Sequence, residues 1–129
     1  MGATSSSTPP LIAVVEDDPA VLNSLEFALR AEGYAVCSAA CVTDARASEA
    51  FLQADCVVLD YALPDGTGAA LLGELRRRGL GCPAIFIASN PTLQCRRQVA
   101  AAGAALIEKP LIGRELLAQI ADHVGAARP

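Results

Sequence analysis

Apolar residues in this chain gather in runs no longer than a β-strand, and the runs alternate with longer segments of helical spacing. Leu11–Val15, 34–38, 55–60, Ala84–Ala88 and 104–107 read as five strands. Strands that are apolar almost throughout suit a parallel sheet, because such strands are buried on both faces. Alternation with helices implies layers of helix on each side of that sheet, joined by right-handed crossovers. The expected fold is therefore α/β, a doubly wound five-stranded parallel sheet with five helices.

The intervening segments carry helix signals. Asp18 offers an N-cap and Pro19 a first helical position, and Val21, Leu22, Leu25, Ala28 and Leu29 follow at spacings of three and four. Gly33 ends that helix. An alanine-rich helix is predicted over 43–53 with Thr43 as its cap. Leu63-Pro64-Asp65-Gly66-Thr67-Gly68 reads as a loop, since these residue types set turns. Helices follow over 69–78, with Leu71, Leu72 and Leu75 inward, and over 92–102, between Asn90-Pro91 and Gly103. The last covers Glu115–Val124, with Leu116, Leu117, Ile120 and Val124 on one side.

At 129 residues the chain suits one domain with a full core, expected over 11–124. The Ser/Thr/Pro-rich residues 1–10 read as a disordered tail with neither a secretory nor a transit signature, and 125–129 as a frayed end. No apolar stretch reaches membrane-spanning length. A formal charge of −4 argues against nucleic acid as the default partner. The five cysteines (Cys37, Cys41, Cys56, Cys82, Cys95) contain no C-x-x-C pair and no nearby histidine. They read as small hydrophobes rather than ligands, and their odd number points to the cytoplasm. Arg76-Arg77-Arg78 suits the negative end of a helix dipole, while Arg96-Arg97 and His123 read as surface residues.

Two strands end in acids and a third is followed by the chain's one lysine. Leu11–Val15 leads into Glu16-Asp17-Asp18, Val57-Val58-Leu59 ends at Asp60, and the fifth strand reaches Lys109-Pro110. In open sheets of this class ligands bind beyond the carboxyl ends of the strands. Glu16, Asp17, Asp60, Ala88-Ser89 and Lys109 all fall there. Crowded carboxylates resist ionising unless a cation joins them, so the cluster implies a divalent metal beside a fixed ammonium group that can meet an anion. Phosphoryl chemistry on an aspartate fits that set. The Gly66 and Gly68 loop is not a phosphate cradle, because no GK[ST] follows it.

The pieces Val14-Val15-Glu16-Asp17-Asp18-Pro19, Val58-Leu59-Asp60, Leu63-Pro64-Asp65-Gly66, Pro83-Ala84-Ile85-Phe86-Ile87 and Glu108-Lys109-Pro110 resemble the receiver domain of two-component response regulators, the CheY-like family. The likeness runs from about Leu11 to Val124. It implies a flavodoxin-like strand order of 2-1-3-4-5 and makes Asp60 the phosphoryl acceptor. Glu16, Asp17, Asp60 and the backbone carbonyl of Ala62 would hold Mg2+, a cation that prefers hard oxygen ligands. Lys109 would pair with the phosphoryl group, Lys109-Pro110 would be a cis bond, and Asp18 would cap the first helix. The partners implied are a histidine kinase or histidine phosphotransfer protein and a downstream protein target, with a monomer or weak dimer as the oligomeric state.

Two positions depart from the family. Where a Thr or Ser is usual at the end of the fourth strand stands Ala88, with Ser89 next to it as a possible substitute hydroxyl. Where an aromatic is usual in the fifth strand stands Leu106. The expectation is a phosphorylatable receiver whose signal is not read through a hydroxyl–aromatic couple. Ala62, unable to orient a water, implies slow loss of the phosphoryl group. No effector domain is read in the chain, so output is expected through protein contact from a stand-alone receiver, or the chain is a fragment of a longer regulator. The alternatives are a degenerate receiver acting as an interaction module without phosphorylation, and a small phosphatase. The second lacks the D-x-D pair, since Ala62 follows Asp60 by two, and no turnover enzyme is expected.

Overall fold

A computed structural model describes residues 8–125, so most of both predicted tails lies outside the described residues. In chain order the elements are β1 (Leu11–Val15), α1 (Pro19–Ala31), β2 (Ala35–Ala39), α2 (Val42–Ala47), a 3-10 turn (Glu49–Gln53), β3 (Cys56–Asp60), β4 (Ala62–Leu63), β5 (Gly66–Thr67), α3 (Gly68–Arg77), β6 (Ala84–Ala88), α4 (Leu93–Ala101), β7 (Ala105–Glu108) and α5 (Glu115–Val124). Five strands form one parallel sheet in the order β2-β1-β3-β6-β7. With the short antiparallel hairpin β4–β5 set aside, this is the flavodoxin-like order 2-1-3-4-5.

Alternate strand residues serve opposite faces, as the two-residue period of a strand requires. Ala13, Val15, Val57, Leu59, Ala84 and Phe86 pack with Leu71, Leu72 and Leu75 of α3 and Val99 of α4. Ile12, Val14, Val58, Ile85 and Ile87 pack with Leu25 and Leu29 of α1 and Leu116 and Ile120 of α5. Burying each of the Val, Leu, Ile and Phe side chains contributes about 1.5–3 kcal/mol, so both faces of the sheet are held by hydrophobic burial. The strand ends are thereby fixed with little freedom, which matters because the charged residues sit there.

The helix ends follow local chemistry. The Asp18 carboxylate accepts N–H bonds from Ala20 (2.9 Å) and Val21 (3.3 Å), so it caps α1 as its position predicts. Gly33, at φ +96°, takes the left-handed turn beyond that helix. The helix expected over 43–53 instead ends at Ala47 and resumes as a 3-10 turn after Ser48. Its N-cap is Cys41, and the Thr43 hydroxyl donates instead to Asp65 at 2.7 Å. Thr67 and Thr92 cap α3 and α4 through their hydroxyls. The first strand begins at Leu11, and the Pro10 carbonyl just before it accepts the Ala35 N–H at 3.0 Å.

Candidate functional site

Backbone ladders carry the sheet one residue past several strands and so aim the side chains that follow. The Glu16 N–H donates to Ala39 O (3.1 Å), Tyr61 N–H to Ile87 O (2.8 Å) and Lys109 N–H to Ala88 O (2.8 Å). Glu16 is fully buried, Asp60 is 6% exposed, and Asp17 is open to solvent. One carboxylate oxygen from each of the three lies within 4.8 Å of the others. Three groups from two strand ends thus meet at one point, as their positions predict.

Lys109 reaches into this cluster. Its Nζ donates to Asp60 Oδ2 at 2.8 Å and lies 2.8 Å from Glu16 Oε1. Only the Asp60 contact has hydrogen-bond angles, so Glu16 Oε1 is ion-paired yet remains a buried oxygen without a hydrogen bond. The other Glu16 oxygen accepts the Asp18 N–H at 3.0 Å. Burial raises the Glu16 carboxyl above its ordinary value; the Lys109 ammonium and the Asp18 N–H offset part of this, and the Asp60 charge adds to it. For Lys109, burial works downward, but the Asp60 bond and the negative charges of Asp60 and Glu16 outweigh it and hold the ammonium above its usual value. The Lys109-Pro110 bond is cis.

Three carboxylates against one ammonium leave an excess of negative charge in a half-enclosed place. The donor set is all oxygen, one of those oxygens is buried without a hydrogen bond, and Asp17 keeps one side open to solvent. Such a set fits a hard divalent cation that keeps some of its waters. A larger cavity of about 430 Å3 lies between α1 and α5, but its lining is mostly apolar and contains no acidic residue.

Beside Asp60 is a cavity of about 250 Å3, bordered by Tyr61, Ala88, Ser89, Thr92, Cys95 and Lys109. Ala88 is buried at its edge, and Ser89 is exposed with its hydroxyl in no hydrogen bond to Asp60 or Lys109 among the described residues. Leu106 is half-buried in β7, paired in register with Phe86. Ala62 begins the β4–β5 hairpin and its N–H donates to Asp60 Oδ1 at 3.3 Å.

Two residues with no assigned role in the sequence patterns shape this site. Gly68 opens α3 so close to β3 that a Cβ there would lie 2.4 Å from the Asp60 carbonyl oxygen. Its N–H donates to Tyr61 O at 2.7 Å, closing the hairpin loop onto the strand. A glycine within the first turn of a helix, where propensity disfavours it, is the signal that could have marked it. Tyr61 stacks edge-on against Phe86, ring centroids 6.4 Å apart, and its hydroxyl bonds the Gln98 side chain on α4. No sequence spacing announces that contact.

Comparison with known proteins agrees with this geometry. A family model described as the response regulator receiver domain matches residues 12–121. The transcriptional regulatory protein KdpE of Mycobacterium tuberculosis is 33% identical over 111 residues, 85% of this chain and 49% of that protein. BasR of Escherichia coli, also a transcriptional regulatory protein, is 39% identical over 85 residues, 64% of this chain and 37% of its own length. The chain spans about half the length or less of these curated relatives. Among solved structures, the HemR receiver domain of Leptospira biflexa superposes with a TM-score of 0.82 at 30% identity, covering 93% of this chain and 98% of that one. A CheY-like receiver domain protein of Methanospirillum hungatei gives 0.81 at 30% identity, with 90% and 94% covered. By sequence, strand order and the strand-end acids, the chain belongs to the response regulator receiver domain family.

Proposed function

We propose that Asp60 accepts a phosphoryl group from a phosphohistidine on a histidine kinase or phosphotransfer protein. The observation that carries this is the meeting of the Glu16, Asp17 and Asp60 carboxylates within 4.8 Å, with Lys109 Nζ 2.8 Å from Asp60 Oδ2. An Asp60 carboxylate oxygen bonds to phosphorus as the phosphorus–nitrogen bond to the donor imidazole breaks. The electron pair leaves with the imidazole nitrogen. Glu16, Asp17, Asp60 and the Ala62 carbonyl would hold Mg2+, which supplies neutralising charge to the transferring group. Lys109 leaves its pairing with Asp60 to pair with a phosphoryl oxygen, and the cavity beside Asp60 offers the space.

This is a signalling switch that modifies itself rather than an enzyme turning over an external substrate. The formal charge of −4 supports proteins rather than nucleic acid as donor and target. The five free cysteines support a reducing, cytoplasmic setting, and among the described residues no helix is long and apolar enough to cross a membrane. Ala88 and Leu106 favour a second reading, a degenerate receiver that binds a partner without phosphorylation. Incubation with acetyl phosphate and Mg2+, followed by intact mass, separates the two. The first expects the mass of one phosphoryl group, lost on Asp60→Asn; an unchanged wild-type mass favours the second.

A further inference from the structure

The residue after Asp60 is the one whose side chain leaves the site for another element. Tyr61 has its backbone held on two sides, by Ile87 O and by the Gly68 N–H, so its side chain is the part free to respond. That side chain forms one wall of the 250 Å3 cavity beside Asp60 and ends on Gln98 of α4. Thr92, which caps α4, and Cys95, in its first turn, form another wall of the same cavity. A phosphoryl group on Asp60, bringing a charge of about −1.5 to −2, would therefore press on Tyr61 and on α4 together.

The helix on the receiving end is lightly anchored. Within α4 only Cys95 and Val99 are buried. Its side-chain ties to other elements include Tyr61 to Gln98, the exposed ion pair of Arg96 with Glu108 at 3.1 Å, and Arg76 Nη1 to Ala102 O at 2.5 Å just past its end. An exposed ion pair contributes about 0–1 kcal/mol, and Arg76 holds the far end of the helix at Ala102, so the Tyr61–Gln98 bond is the tie that links helix position to the state of Asp60. Ala88 and Leu106 offer neither hydroxyl nor ring for that purpose.

We infer that Tyr61 is the coupling residue of this receiver: phosphorylation of Asp60 shifts the Tyr61 ring, breaks its bond to Gln98 and lets α4 move. The inference rests on the reading of Asp60 as acceptor. The test records amide shifts of the full chain with Mg2+ and beryllofluoride, a phosphoryl mimic, for wild type, Tyr61→Phe, Gln98→Ala, the double variant and Arg96→Ala. Intact mass after acetyl phosphate is taken for each. Tyr61→Phe keeps the ring against Phe86, and Gln98 is exposed, so both substitutions leave the core untouched. The shifts over 92–102 should fall by about half or more in each single variant and no further in the double, as for two partners of one contact. Arg96→Ala should respond like wild type, and every variant should gain the phosphoryl mass. Full-size α4 shifts in both single variants, with mass gain intact, overturn the coupling alone, as does a wild type that gains mass without α4 shifts. A wild type that gains no mass removes the acceptor reading, and the coupling with it.

Discussion

Gly68 and Lys109 fix the Asp60 environment by opposite means, one by having no side chain and one by extending a long one. In an open helix, Gly68→Ala would favour the fold by about 1 kcal/mol through propensity. Here the added Cβ would meet the Asp60 carbonyl oxygen at 2.4 Å and Phe86 Cε1 at 3.2 Å. Backbone cannot yield as a flexible side chain can, so the clash wins. We expect Gly68→Ala to lose about 1–3 kcal/mol in urea denaturation, and a variant as stable as wild type would show that α3 can retreat at no cost. Lys109 is the only cation within reach of the buried Glu16 and Asp60 carboxylates among the described ion pairs. Lys109→Met keeps the aliphatic stem but leaves two carboxylates facing each other. Removing one partner of a buried pair costs about 3–5 kcal/mol; with Lys109 still 18% exposed, a loss of about 3 kcal/mol is expected. Added Mg2+ should recover part of it. Asp60, Glu16, Asp17 and Lys109 are legible in the sequence because each ends or follows an apolar run. Gly68 and Tyr61 are not, because their partners lie across the fold rather than along the chain.

Between elements, Asp65 does what no periodicity shows. From the loop of the β4–β5 hairpin its carboxylate accepts the Val42 N–H at 2.8 Å, the Thr43 N–H at 3.0 Å and the Thr43 hydroxyl at 2.7 Å. It thus satisfies free donors in the first turn of α2 from outside that helix, and places a negative charge at the positive end of the helix. The bond from the Thr43 hydroxyl, with those from the Thr43 and Val42 amides, holds the Asp65 carboxyl at about 2 instead of 3.8. A folded-state value below the unfolded one means a stabilising contribution that is complete above about pH 4 and disappears as pH falls through about 2. Asp65→Asn should therefore be less stable than wild type at pH 7, with the gap closing between pH 4 and 2. Urea midpoints across that range check it; a gap that stays constant would mean the charge of Asp65 is not what α2 uses. The same contact explains where the sequence reading of α2 goes astray. Thr43 has the chemistry of a cap, but its hydroxyl is engaged by a residue 22 positions later, and the cap falls to Cys41. Strands and the amphipathic helices α1, α3 and α5 are legible because burial imposes a period on them. Short α2, with Val42 and Ala45 its only buried residues, carries too little periodic signal to show its break at Ser48.

Across the whole molecule, hydrophobic burial on both faces of the sheet holds three like charges together at one edge. The cluster stands at three carboxylates to one ammonium, a formal excess of two negative charges (3 − 1 = 2). A cation that binds there binds only the folded chain, since the unfolded chain does not bring Glu16, Asp17 and Asp60 within 4.8 Å. Mg2+ should therefore stabilise the protein by mass action, by about 1.4 kcal/mol at a tenfold excess over its Kd. Screening of surface charge would also raise stability a little, and a matched concentration of NaCl at equal ionic strength removes that contribution. Asp60→Asn sharpens the comparison because it takes one acid from the cluster while leaving Glu16 and Lys109 paired. Without Mg2+ the variant should melt at or above the wild-type temperature, as relief of like-charge crowding requires. With Mg2+ it should gain clearly less than wild type. Thermal denaturation of both proteins in the two salts supplies the four values needed. Equal Mg2+ responses would place the cation elsewhere on the surface and leave the acid cluster as a network completed by Lys109 alone.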